Sequence, residues 1–224
     1  MTKNLRATLV VVGVAVVLAV GAFLLFRPTT PAEAPQSGEL LAAQATDPAL
    51  LVREDSHVLS SAPADAPAFV EFLDFECPSC AGAYPAVEQL REEYGDRVRF
   101  VVRYFPIPSH ANAEASAVAA EAAAQQGRFE EMYHALFQTQ SRWANLGAPQ
   151  PGVFREIAAT IGLDLTAYDA AVADPATLER VLGDQADGID AGVTGTPSFF
   201  LDDRLVGPAT VDDLRVLLDE TAAP

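Results

Sequence analysis

Two cysteines, Cys77 and Cys80, are all that the 224 residues contain, which excludes a disulfide-scaffold protein and a four-thiolate zinc site. Basic residues are scarce as well, with 14 Lys and Arg against 31 Asp and Glu and a net charge of −17. Lys3, Arg6 and Arg27 all precede the first acid, Glu33, so the rest of the chain holds 11 basic against 31 acidic residues. Such a surface repels phosphate and argues against nucleic acid as a partner. The three histidines, His57, His110 and His134, are scattered without ligand spacing and read as surface or capping residues, so no metal and no bound cofactor is expected. What the chain does have is apolar bulk, 50% hydrophobic against 20% charged, enough for one or two folded domains. Its two thiols, three positions apart, suggest redox work.

From Ala7 to Phe26 run 20 residues without a charge, dominated by Val, Leu and Ala. As a helix at about 1.5 Å per residue this stretch reaches about 30 Å, the thickness of the hydrocarbon layer. Positive charge before the run and acidic sequence after it predict residues 1–6 in the cytoplasm, 7–26 as a single-pass anchor in the cell membrane, and the remainder outside. A cleaved signal peptide competes, because Ala32-Glu33-Ala34 offers small residues at a cleavage point, although the apolar run is longer than a usual signal core. Residues 27–50, rich in Pro, Thr and Ala at their start, read as a linker, with the folded domain beginning near Leu51.

The first clear strand is Ala68 to Phe75, a short, mostly apolar run that leads directly to Cys77. A helix follows with Pro78 at its first position, Val87, Leu90 and Tyr94 on one face, Pro85 as a predicted kink and Gly95 as its stop. Val98, Phe100, Val102 and Tyr104 alternate with Arg97, Arg99 and Arg103, predicting a second strand with one solvated or acid-paired face. Residues of about 111–192 are helical throughout, four or five helices with aromatic stripes that serve packing. One of these helices presents Leu178, Val181, Leu182, Gln185 and Ile189. A hairpin of Ser198–Leu201 and Arg204–Val206 and a final helix opened by the Thr210/Asp213 capping box complete a β-α-β, helices, β-β-α order. The fold class is α/β, a sheet layer interrupted by a helical insertion.

In Cys77-Pro78-Ser79-Cys80 the first sulfur lies at a helix N-terminus, where unpaired N–H groups and the helix dipole favour the thiolate. Cys77 is therefore the expected nucleophile. Cys80, one turn on and deeper, is the expected resolving thiol. An inert structural bridge and a soft-metal site for Cu(I) are the alternatives, yet so small a loop constrains the unfolded chain little.

A strand running into Cys-Pro-Ser-Cys on a helix, an all-helical insert and then Gly195-Thr196-Pro197 before a strand together resemble the DsbA-like branch of the thioredoxin superfamily, from about residue 51 to the C-terminus. The resemblance implies a thioredoxin-like fold and a thiol-disulfide oxidoreductase. It implies a cis Pro197 against the disulfide and a Thr196 that offers backbone groups to a substrate strand. It also makes Glu71 the acid beneath the active site that moves the proton of the buried cysteine, the alternative being a strand-edge residue in solvent. Pro78 and Ser79 tune the pair. Ser79 in place of a histidine, with Asp74 and Glu76 adding negative charge, leads to the expectation of a milder oxidant. The partners implied are exported proteins with cysteines and a quinone-linked membrane oxidase, or a membrane electron donor if the direction is reductase or isomerase. A noncatalytic peptide-binding chaperone module is the reading from another class.

Overall fold

The computed structural model describes residues 41–207 and 210–222. The predicted cytoplasmic residues 1–6, the span 7–26 and the first part of the linker lie outside them, and among the described residues no helix is long and apolar enough to cross a membrane.

Among the described residues there are six strands: β1 (Leu41–Ala45), β2 (His57–Val58), β3 (Ala68–Leu73), β4 (Arg99–Tyr104), β5 (Ser198–Leu201) and β6 (Arg204–Val206). They form one sheet in the order β1-β6-β5-β3-β4-β2. β3 runs parallel to β4 and antiparallel to β5, pairing Glu71 with Val102 on one side and with Phe199 on the other. Flanked on both edges, β3 is buried along its whole length. Side chains alternate across a strand, so Phe69 and Glu71 share one face while Val70 and Phe72 take the other.

On the Phe69 face lie α2 (Pro78–Tyr94) and the last helix, α8 (Val211–Thr221), closing a core of Val87, Leu90, Tyr94, Leu214, Leu217 and Leu218. The predicted Thr210/Asp213 capping box is present at the start of α8. Between β4 and β5 the insert supplies α3 (Ala113–Ala124), α4 (Phe129–Thr139), a 3-10 turn (Gln140–Arg142), α5 (Pro151–Thr160), α6 (Leu165–Ala173) and α7 (Pro175–Asp190). Its own core surrounds Met132, Tyr133, Trp143 and Phe154. α7 returns to the opposite face of the sheet, and a Cβ added at Gly188 would come 2.8 Å from the Phe105 ring and 2.9 Å from that of Phe72, so only glycine permits this approach.

Two expectations need correction. The linker does not extend to residue 50: β1 pairs with β6 as an edge strand, and Asp47 caps the short helix α1 (Pro48–Leu51), whose Leu51 is buried. The apolar pattern is too weak there to announce a strand, but a hairpin edge with unpaired backbone groups recruits one. The arginine row of β4 is acid-paired at its buried end, one of the two readings its pattern allows: Arg103 is wholly buried and holds Asp184 at 2.9 Å and Asp187 at 2.5 Å. That pairing turns α7, burying Asp184 and Asp187 and leaving Ile189 60% exposed, where the apolar periodicity places Ile189 inward. A buried guanidinium without counter-charges would cost more than one exposed isoleucine.

Candidate redox site

β3 ends at Leu73, and four residues later Cys77 takes up the N-cap position of α2 with extended backbone (φ −66°, ψ 123°) and Pro78 at the first helical position. Cys80, in the first turn, is completely buried, while Cys77 is 7% exposed. Pro78 and Ser79 between them face solvent. Both cysteines are free thiols in this structure. Facing them is the loop before β5, where the Thr196–Pro197 peptide is cis and the Thr196 carbonyl lies 3.4 Å from Cys77 Sγ. The Thr196 Oγ1 is buried with no hydrogen-bond partner among the described residues.

The two sulfurs differ electrically as well as sterically. The Cys80 side chain, then Thr196 and the backbone N–H groups of Cys80 and Ser79, bring the Cys77 thiol down to about 4 in spite of its burial. Burial, together with Cys77 and Glu71, pushes Cys80 up, so it stays a thiol. Glu71 is 3% exposed on the α2 face of β3 and is not a solvent-facing edge residue. Burial above all, then Glu88 and Cys77, raises its carboxyl from 4.5 to about 8. A neutral acid thus stands beneath a neutral thiol, while the outer sulfur is anionic.

Asp74 and Glu76 do not act on Cys77 as expected. Asp74 accepts from the N–H groups of Glu76 (2.8 Å) and Ile107 (3.0 Å) and from His110 Nδ1 (2.6 Å). Glu76, 1% exposed, accepts from the N–H groups of Asn112 (2.5 Å) and Asn145 (2.8 Å). Their charge is held by donors of the insert and its approach loop, and neither carboxylate is among the main influences on Cys77. The low Cys77 value therefore opposes the milder-oxidant expectation.

The histidines are not simple surface residues: His57 stacks on Phe129 and pairs with Glu121, His110 pairs with Asp74, and His134 meets Tyr84. Among the described residues no group of three or more His, Cys, Asp or Glu is placed to hold a metal. Sequence reasoning missed Gln140, whose Nε2 donates to the carbonyls of Phe75 (2.8 Å) and Cys77 (3.0 Å), and it missed Asn112, which holds Glu76. Gln140 lies 63 positions from Cys77 and Asn112 lies 36 from Glu76, beyond any local pattern.

Glu71 sets a pH dependence of stability. Its folded value lies above the ordinary one, so between about 4.5 and about 8 the folded protein keeps a proton that the unfolded chain releases. That contribution is complete below the lower value and is lost as pH rises through the upper one. In the oxidised protein, the urea midpoint of Glu71→Gln should fall less between about pH 5 and about pH 8 than that of the unmodified chain.

A profile of the thioredoxin family matches residues 60–220. A thioredoxin-like oxidoreductase from Silicibacter pomeroyi DSS-3 superposes with a TM-score of 0.66 at 29% identity, covering 79% of this chain and 97% of the other. Wolbachia pipientis alpha-DsbA1 superposes with a TM-score of 0.68 at 18% identity over 77% and 94% of the two chains, a likeness of fold. Among curated sequences, the Na(+)/H(+) antiporter NhaA of Herminiimonas arsenicoxydans is 37% identical over 135 residues, 60% of this chain and 20% of that protein. The Na(+)/H(+) antiporter NhaA 1 of Mycobacterium sp. (strain KMS) is 33% identical over 186 residues, 80% and 28% of the two. The chain thus spans only 20% to 28% of the length of these curated relatives.

Proposed function

The chain belongs to the thioredoxin family, and on that premise we propose that it is a thiol-disulfide oxidoreductase that introduces disulfides into exported proteins. The observation that carries the reading is the split pair: an anionic sulfur at a helix start beside a buried neutral one. In the oxidised enzyme a substrate thiolate attacks Cys77 Sγ, the Cys77–Cys80 bond breaks, and Cys80 leaves with the electron pair and takes a proton from Glu71. A second substrate thiolate attacks the substrate sulfur of the mixed disulfide and expels Cys77 as a thiolate. Two electrons pass to the enzyme and the substrate gains one disulfide.

Linkage supports the oxidising direction. At neutral pH the folded dithiol form carries an ionised Cys77 that the unfolded chain holds as a thiol. This stabilises the reduced fold and is lost only as pH falls through about 4. A stabilised reduced form makes the disulfide oxidising. Reoxidation then requires an electron acceptor, for which a quinone-linked membrane oxidase is the class proposed. A tether through residues 7–26, with the domain outside the cytoplasm, is supported by their uncharged run and by the basic residues that precede it. Ion transport is not carried over from the proteins named as antiporters, since the match spans so small a share of them.

Glutathione equilibration of the full chain should give a potential well above the roughly −270 mV of thioredoxin, and trapping in cells should find the pair mostly oxidised. A mostly reduced pair would instead make it a reductase or isomerase.

A further inference from the structure

We infer that Gln140 is a positioning residue for the exchange reaction, and that with Asn112 and Glu76 it makes the helical insert a frame that holds the Cys77 sulfur over the start of α2. The inference rests on the thiol-exchange reading and names the part of the chain that regulates its nucleophile.

The segment Asp74–Cys77 lies between β3 and α2, and its conformation decides where the sulfur sits. Rotation about ψ of Cys77 swings its carbonyl, and with it the position of the side chain relative to the helix that follows. At ψ 123° Cys77 is an N-cap, so its sulfur meets the free N–H groups of the first turn. Were ψ to relax to a helical value, Cys77 would join the helix and the sulfur would leave those groups.

Two donors fix that carbonyl. One is Ala81 N–H at 3.1 Å, the first bond of the helix itself. The other is Gln140 Nε2 at 3.0 Å, and the same nitrogen reaches the Phe75 carbonyl at 2.8 Å, so one amide spans both sides of Glu76. Between those anchor points the Glu76 carboxylate is held by Asn112 and Asn145 N–H groups. Asn112 is itself completely buried, accepts from Gln150 N–H at 2.6 Å and donates to the Ala148 carbonyl at 3.2 Å. Within the loop itself, the N–H groups of Glu76 and Cys77 turn back onto Asp74. The donors that reach residues 75–77 from farther along the chain than α2 belong to the insert or to the approach to it. A glutamine that carried out packing alone would not need both N–H groups aimed at the backbone on either side of the reactive loop.

The test uses the full chain, reduced, with iodoacetamide alkylation of Cys77 followed against pH, and urea unfolding measured beside it. Gln140→Ala removes the amide, and Gln140→Met keeps its length while removing both donors and adding no charge. In both, the alkylation midpoint should rise by about one pH unit, so that the thiolate fraction on the acid side of the titration drops about tenfold. If the unfolding midpoint falls and the alkylation midpoint stays where it is in the unmodified chain, Gln140 is structural and the inference is overturned. Should Gln140→Ala fail to fold, the outcome of Gln140→Met decides. An unmodified chain that does not exchange with glutathione would overturn the exchange reading itself, which is a separate result.

Discussion

Cys77→Ser abolishes disulfide exchange, on the order of 10⁶-fold, the scale found when a nucleophile is removed from a site that otherwise stays intact. The hydroxyl cannot ionise under the same N–H groups that bring the thiol to about 4, and the second thiol, Cys80, is too deeply buried to replace it. Cys80→Ser behaves differently. Without a disulfide of its own the variant cannot oxidise a substrate; Cys77 can only attack a disulfide already present in another protein, releasing one of that protein's thiolates. With no Cys80 to reverse the bond, the mixed disulfide accumulates and can be isolated on a non-reducing gel. Because the Cys80 side chain is the largest influence lowering Cys77, this variant should also raise the pH of half-maximal alkylation. A noncatalytic binder would keep its cellular role in Cys77→Ser; an oxidoreductase would lose it.

Arg103→Met costs about 3–5 kcal/mol of stability at neutral pH, measured by urea unfolding. Arg103 is wholly buried, pairs with Asp184 and Asp187, and donates to the carbonyls of Leu50 (3.0 Å) and Leu51 (2.7 Å). One side chain thus fastens α1 and α7 to β4. Burial already pushes the Asp184 carboxyl up against the pull of Arg103 and Arg180, so removing Arg103 leaves two acids that must share the remaining arginines, Arg53 and Arg180. The difference from the unmodified chain should shrink as pH falls and Asp184, already raised by burial, takes up a proton. Equal differences at pH 7 and at about pH 4 would show that lost packing, not charge, sets the cost.

The parts legible in the sequence are those with a local signature. Cys77-Pro78-Ser79-Cys80, the hairpin around Asp202-Asp203 and the capping box at Thr210 each carry their chemistry within a few residues, and all three stand where the pattern places them. Glu71 is legible as an acid within an apolar run, and the strand period assigns it to the face that α2 covers. What cannot be read depends on partners far away in the chain. Nothing near Arg103 tells that Asp184 and Asp187 will meet it, so an apolar count alone places Val181 and Leu178 correctly but turns Ile189 inward at the end of α7. Nothing near Gln140 or Asn112 marks them as neighbours of the Cys77 loop. β1 and β2 are too short and too weakly patterned to declare themselves, being edge strands whose pairing is decided by the sheet they join.

The unequal depth of the two sulfurs gives the pair a front and a back. On the proposed exchange reaction, a visiting thiol bonds to the same atom on arrival and breaks from that same atom on departure, so the domain holds one guest at a time. Recognition is thereby concentrated on a single doorway, between the first turn of α2 and the Thr196–Pro197 loop. Whatever changes the shape of that doorway alters the choice of guest while leaving the underlying electron traffic as it was.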